Sequence, residues 1–153
     1  MSYIKSQNSK LIINLPPEVL FCLNGLLKAN FEAYLVGGCV RDILLNKKPK
    51  DFDIATDALP TQIQKIFNNS LYENQFGTVV VKTDSNDEFL KTIEITTFRK
   101  EGKYSDKRHP DEVKFAKTIE EDLARRDFTI NAMALEIHLP KFLQSKNLGR
   151  QEI

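Results

Sequence analysis

The stretch Leu35-Val36-Gly37-Gly38-Cys39-Val40-Arg41-Asp42-Ile43-Leu44-Leu45, followed after a lysine-bearing link by Asp51-Phe52-Asp53-Ile54-Ala55-Thr56, decides the reading of this chain. Ala33 to Val36 is a short apolar run that reads as a buried strand, and the glycine pair breaks it. Val40, Ile43 and Leu44 then recur at helical spacing, with the helix ending near Asn46. The local order is therefore strand, glycine turn, helix. Pro49 closes that region, and Phe52 to Ala55 reads as a second strand. Residues two apart in a strand share a face, so Asp51 and Asp53 point one way while Phe52 points to the core.

Two carboxylates on one face suit a hard cation. Mg²⁺ takes oxygen ligands and commonly uses one or two carboxylates together with substrate phosphates. Two such ions about 4 Å apart activate an attacking hydroxyl and stabilise a leaving pyrophosphate. By itself an Asp-x-Asp also occurs on surface loops and strand edges. Gly37-Gly38, lacking side chains, lets a phosphate approach backbone N–H groups and the positive helix end, and Arg41, one turn along, is placed to clamp it. Taken alone these residues are equally a tight turn with Arg41 and Asp42 as surface charges.

Outward from this centre, Pro16-Pro17 suits a helix start, and Val19, Leu20, Leu23, Leu26 and Leu27 give an amphipathic packing helix up to Asn30. After Asp57-Ala58-Leu59-Pro60 a helix is expected from Thr61 to about Phe67. Thr78-Val79-Val80-Val81 and Thr92-Ile93-Glu94-Ile95-Thr96-Thr97-Phe98 are β-branched runs separated by a polar turn, an antiparallel hairpin. Lys100 to Asp111 is a charged loop, after which a brief strand at Val113 to Ala116 is expected to return to the sheet. Thr118 with Glu121 has the capping-box pattern, and Phe128, Ile130, Met133 and Leu135 suggest a further packed segment.

The 153 residues suffice for one domain with a real core, and 41% hydrophobic with 28% charged residues is the composition of an ordinary globular protein. With 22 basic against 21 acidic residues, a net charge of +1, no global signature of a nucleic-acid binder exists. Any RNA contact falls to local patches: Lys47, Lys48 and Lys50, or Arg99, Lys100, Lys103, Lys107 and Arg108. Cys22 and Cys39 lack zinc-site spacing and are expected to be free thiols filling the core. No apolar stretch reaches the roughly 18 residues of a membrane span, and the polar start lacks the hydrophobic middle of a signal peptide, so a cytoplasmic protein without membrane partners is expected.

The glycine-turn stretch with its Asp-Phe-Asp strand resembles the signature of the CCA-adding enzyme and bacterial poly(A) polymerase family. Three further blocks fit in order: Ile93-Glu94-Ile95-Thr96-Thr97-Phe98-Arg99, then Tyr104-Ser105-Asp106-Lys107-Arg108-His109-Pro110, then Arg125-Arg126-Asp127-Phe128-Thr129-Ile130-Asn131-Ala132-Met133. The resemblance covers Ala33 to Leu135. It implies an α+β fold, a mixed and mainly antiparallel sheet carrying both Asp residues and backed by helices, like the DNA polymerase β-like palm of the nucleotidyltransferase superfamily.

The resemblance also implies roles. Asp51 and Asp53 would bind catalytic Mg²⁺, for which Mn²⁺ is an acceptable substitute, while Gly38 and Arg41, with Gly37 in the turn, would contact the nucleoside triphosphate. Glu94 is a candidate third carboxylate that helps activate the primer 3′-hydroxyl, or else an edge-strand Glu facing solvent. Arg126 would reach the triphosphate, Asp127 would orient the site through an Arg or a ribose, and Arg125 is open to a structural role. Asn131 either fixes the turn or contacts the sugar, or satisfies backbone groups as a buried Asn. His109 receives no catalytic role. The implied reaction is attack by an RNA 3′-hydroxyl on the α-phosphorus of CTP or ATP with release of pyrophosphate.

Poly(A) polymerases of the family tend to carry a basic Gly-Arg-Arg-Phe-like segment where this chain has Asn74-Gln75-Phe76-Gly77-Thr78, so the resemblance favours CCA addition to tRNA over polyadenylation. Family members continue well beyond this length, and nothing after Leu135 supplies the Asp and Arg that select the base. The sequence thus reads as one head domain, 1–153, with residues 138–153 a tail of unclear structure and the neck, body and tail domains of the family absent. Three expectations follow from that: a fragment, a head that recruits a second chain carrying the helical domains, or a remnant that binds nucleotide or RNA without turnover.

Overall fold

The computed structural model describes residues 13–73, 76–100, 114–126 and 128–137. Its main element is a six-stranded sheet in the spatial order Ser70–Tyr72, Thr78–Lys82, Thr92–Thr97, Asp53–Thr56, Ala33–Val36 and Ala134–Glu136. The strands are β1 (Ala33–Val36), β2 (Asp53–Thr56), β3 (Ser70–Tyr72), β4 (Thr78–Lys82), β5 (Thr92–Thr97) and β8 (Ala134–Glu136), and β6 (Arg99–Lys100) with β7 (Lys114–Phe115) forms a separate two-stranded ribbon. Neighbours in the main sheet are antiparallel except β2 and β5, which run parallel. The expected mixed, mainly antiparallel sheet is present.

Register explains which face is buried. Leu35, Ile54, Ile95 and Val79 stand opposite one another across four strands, and all four are fully buried. They pack under helix α1 (Pro17–Lys28) and helix α3 (Pro60–Ile66), whose Val19, Leu23, Leu26 and Ile63 join the same core. Since side chains alternate along a strand, the next row, Ala134, Val36, Asp53, Glu94 and Val80, belongs to the other face. There a smaller cluster of Val36, Ala55, Phe98, Ala116 and Ile119 seats helix α4 (Ile119–Ala124). The remainder of that face carries the carboxylates.

Turn chemistry at the helix ends is local. Helix α1 and helix α2 (Gly38–Leu44) each end with an Asn in the left-handed region, Asn30 at φ 62° and Asn46 at φ 54°. The N–H of Asn30 reaches the Leu27 carbonyl and that of Phe31 the Leu26 carbonyl; Asn46 and Lys47 repeat the pattern on Ile43 and Asp42. These are paired Schellman closures, which Asn tolerates better than any residue but Gly. The second closure turns the chain toward Asp51.

Several expectations are corrected. Of the strand expected to return to the main sheet, Lys114 and Phe115 instead pair with Lys100 and Arg99 in the small ribbon, and Ala116 donates to the carbonyl of Phe98, just past the end of β5. The hydrophobic run after Arg126 is only half packed. Phe128 and Ile130 are 67% and 55% exposed, flanking or lying in a 3-10 turn over Thr129–Asn131, whereas Met133 and Leu135 pack on the core. Strands β3 and β8 have too little alternation to be read from sequence, and pairing with β4 and β1 creates them. The capping pattern is shifted: Thr118 Oγ1 accepts from Glu121 N–H, but the Glu121 carboxylate accepts from Lys117 rather than from the cap itself. Both cysteines are buried and free. Among the described residues no helix is long and apolar enough to cross a membrane.

Candidate active site

Antiparallel pairing of β1 with β2 sets Val36 opposite Asp53, so the glycine turn that follows Val36 lies against the carboxylate. Gly37 has φ 75° and ψ −135°, a combination that costs any residue with a Cβ. A Cβ there would lie 3.4 Å from Arg126 Nη1 and 3.7 Å from Asp53 Oδ2. A glycine, an arginine from 89 positions later in the chain and the second Asp of the pair are thus within contact of one point. The Gly37 N–H donates to the Met133 carbonyl, so this turn is anchored to the segment after the 3-10 turn.

Strand β2 begins at Asp53 itself, and Asp51 lies exposed on its lead-in with Phe52 7% exposed between them. The alternation expected of the pair therefore holds although only one member is in the strand. Parallel pairing of β2 with β5 sets Glu94 beside Asp53. Burial pushes the Asp53 carboxyl up, the Arg126 guanidinium draws it back, and the charge of Asp51 adds to the rise. Glu94 is open to solvent on one side, yet partial withdrawal of its carboxyl from water raises it too, followed by the charges of Asp53, Glu73 and Asp51. Glu73, just past the end of β3, is a contributor that no motif or spacing singles out. Among the described residues no three His, Cys, Asp or Glu side chains form a ready metal cage.

Arg41 sits in α2, where its Nη2 is 3.6 Å from the place a Cβ on Gly38 would take. Its Nε donates to Asp42 and its Nη1 to Asn131 Oδ1 at 3.2 Å, so Asn131 orients an arginine rather than backbone groups. Arg125 and Arg126 fork around one carboxylate, Asp122, which is 1% exposed. Arg125 donates by Nε and Nη2 to Oδ1, Arg126 by Nε and Nη2 to Oδ2, and Oδ1 also accepts from the backbone N–H of Arg99. Burial alone would raise the Asp122 carboxyl, but Arg125 first, then the Arg99 N–H and Arg126, hold it below the usual carboxylate range. Asp122 carried no role in the sequence reading. Its signal was present, an Asp with arginines three and four residues on along one helix face. Asp127, His109, Lys103, Lys107, Arg108 and the tail 138–153 lie outside the described residues.

A mixed sheet that brings a carboxylate pair, a glycine turn and two arginines to one end is the palm of a nucleotidyltransferase. Residues 33–153 match the poly A polymerase head domain, and the chain belongs to that family. The chain is 51% identical over 121 residues to the CCA-adding enzyme of Listeria monocytogenes serovar 1/2a, covering 79% of this chain and 30% of that protein. Against the CCA-adding enzyme of Lactobacillus johnsonii it is 46% identical over 130 residues, 82% of this chain and 31% of the other. Among solved structures, the Bacillus stearothermophilus CCA-adding enzyme in complex with CTP aligns with a TM-score of 0.66 at 39% identity, over 80% of this chain and 28% of that one. The Thermotoga maritima CCA-adding enzyme complexed with tRNA aligns with a TM-score of 0.54 at 30% identity, over 80% and 27%. The chain thus spans about a third of the length of these relatives.

Proposed function

We propose that this chain is the catalytic head of a template-independent RNA 3′-end nucleotidyltransferase that adds C and A from CTP and ATP to the tRNA 3′ end. The observation that carries the reading is the register that sets Asp53 beside both Glu94 and the Gly37 turn, with Arg126 at the same point. Relatives described as CCA-adding enzymes, with CTP or tRNA in their solved complexes, support the same substrates here.

The donor set fits a divalent cation. Asp51 and Asp53 offer oxygen only; Asp53 is raised by burial and by the charge of Asp51, and Glu94 by burial and by the charges of Asp53, Glu73 and Asp51, a strain that a cation would relieve. Two carboxylates without a full cage suit Mg²⁺, which keeps waters and takes phosphate oxygens as further ligands; Mn²⁺ fits the same donors. When bound, the metal supplies charge neutralisation at the attacking and leaving oxygens. The chain's own residues do the rest. Arg41 and Arg126 hold the triphosphate, Gly37 and Gly38 leave room for it, and Asp127 orients Arg or ribose. Glu94, whose carboxyl is raised by burial and by neighbouring carboxylates, is assigned as the proton acceptor for the 3′-hydroxyl. The bond formed joins that oxygen to the α-phosphorus, the α–β bridging bond breaks, and pyrophosphate departs. The grip on tRNA and the choice of base are assigned to the rest of a full-length relative, or to a second chain supplying it.

End-labelled tRNA lacking its CCA, incubated with Mg²⁺ and each nucleoside triphosphate separately, tests this. The expected result is addition of C, then A, abolished by Asp53→Ala in a protein that still melts cooperatively. Long A tails would move the reading to a poly(A) polymerase head. Near-normal extension by Asp53→Ala would sink the metal assignment, and triphosphate binding without extension by the chain would leave a nucleotide-binding head.

A further inference from the structure

We propose that Asp122 is a positioning residue, which fixes Arg126 so that one guanidinium nitrogen faces the glycine turn and Asp53. The inference rests on the triphosphate reading of Arg126 given above and adds the residue through which that arginine acts.

The geometry is that of a divided fork. A guanidinium has five N–H donors in a rigid plane. Arg126 spends Nε, at 3.4 Å, and Nη2, at 3.1 Å, on Asp122 Oδ2. Its Nη1 is then the nitrogen 3.4 Å from the point above Gly37. Held by one edge of its plane, the side chain presents the opposite corner to the site. Asp122 itself cannot swing, because Arg125 binds the other carboxylate oxygen at 2.8 and 3.1 Å and the Arg99 N–H adds a third bond at 3.0 Å to that oxygen. The carboxylate is 1% exposed, so water does not replace a lost partner. Arg99 follows the Phe98 that anchors the small cluster, and the anchor is thereby tied to the sheet that carries Asp53.

A free arginine at this place would spread over many rotamers and lose that entropy on meeting a phosphate; one held beforehand does not. The effect of removing Asp122 should therefore fall on ligands that Arg126 touches, and only while Arg126 is present. A role in stability alone predicts otherwise: weaker binding of every ligand, whatever stands at 126.

Isothermal titration of the chain with Mg²⁺-CTP and with cytidine, for wild type, Asp122→Asn, Arg126→Ala and the double variant, separates the two. We expect Asp122→Asn to weaken Mg²⁺-CTP on the order of tenfold in the wild-type background, and less than twofold in the Arg126→Ala background. Cytidine binding should be unchanged. An equal loss in both backgrounds, or no loss with Arg126 present, overturns the proposal. If wild type fails to bind Mg²⁺-CTP, the nucleotide reading of the head is what has failed, and the positioning is read from the arginine side-chain N–H signals in a ¹H–¹⁵N spectrum. Slow exchange with water of the Arg126 signal in wild type, lost in Asp122→Asn, upholds it. Exchange as fast as that of a solvated arginine in wild type overturns it, a measurement that stands even if Asp122→Asn does not fold.

Discussion

Replacing Gly37 by Ala should harm the protein twice, for two separable reasons. At φ 75° and ψ −135° the backbone lies where a Cβ meets its own carbonyl, and holding a non-glycine residue in such a region costs about 1–3 kcal/mol. In a domain of this size each kcal/mol lowers the melting temperature by about 2–4 °C, so the drop should be roughly 2–12 °C by combining those two ranges. The second harm is local: the new methyl sits 3.4 Å from Arg126 Nη1 and 3.7 Å from Asp53 Oδ2, in the space assigned to phosphate. Gly38→Ala is the control. Its backbone is outside the positive-φ region and its Cβ would meet only Arg41 Nη2, at 3.6 Å, an ordinary contact. Relief of glycine entropy in a helix is worth about 0.5–1 kcal/mol, so this variant should melt at or slightly above wild type while still binding triphosphate less well. Thermal melts followed by circular dichroism, with Mg²⁺-CTP titrations at 20 °C below each midpoint, read both effects. A Gly37→Ala protein that melts within 1 °C of wild type would mean that the turn tolerates a Cβ and does not require glycine.

Gly25→Ala sets two effects of opposite sign against each other. A mid-helix Ala gains about 1 kcal/mol over Gly, but this Cβ would lie 2.7 Å from two atoms of the Phe67 ring, which is buried and edge-on to Phe21; overpacking costs of about 1–3 kcal/mol should win, and a rise in melting temperature would show the ring to be freer than its packing implies. Burial pushes the Cys22 thiol up to about 12 and raises Cys39 as well, so neither should react with a disulfide reagent in the native protein, and both should react once denaturant unfolds it. Asp53 and Glu94 have folded pKa values above their ordinary 3.8 and 4.5. Their ionised forms therefore cost stability at neutral pH, and Mg²⁺ binding should weaken with falling pH sooner than carboxylates of ordinary pKa would allow; a titration of Mg²⁺ affinity flat down to pH 4 contradicts this. Asp122 has the opposite sign, its folded pKa lying below 3.8. The stability it contributes is complete above that value and is lost as pH falls through the lower folded one, so Asp122→Asn should be less stable than wild type at pH 7 and lose that difference in strong acid.

Features legible from local sequence lie within a few residues of each signal. Strand, glycine turn and helix from Ala33 to Leu44, the packing helix after Pro16-Pro17, and the β4–β5 hairpin are all set by periodicity and turn chemistry, which act over one or two turns of chain. Asn30 and Asn46 close their helices by bonds to carbonyls three residues back, and Phe31 and Lys47 by bonds to carbonyls five back. The candidate metal pair is legible from its Asp-x-Asp spacing, although Asp51 lies on the lead-in to β2 and only Asp53 is in the strand. Tertiary structure decided what no window of sequence contains. Parallel pairing of β2 with β5 puts Glu94 at Asp53, and folding of the last segment over α2 and the sheet puts Asn131 on Arg41 and Arg126 at Gly37. Short edge strands such as β3 and β8, and the exit of Phe115 into its own ribbon, likewise exist only through their partners. Strand pairing is chosen by burying one face of the whole sheet at once, and that choice is a property of the assembled fold rather than of any segment in it.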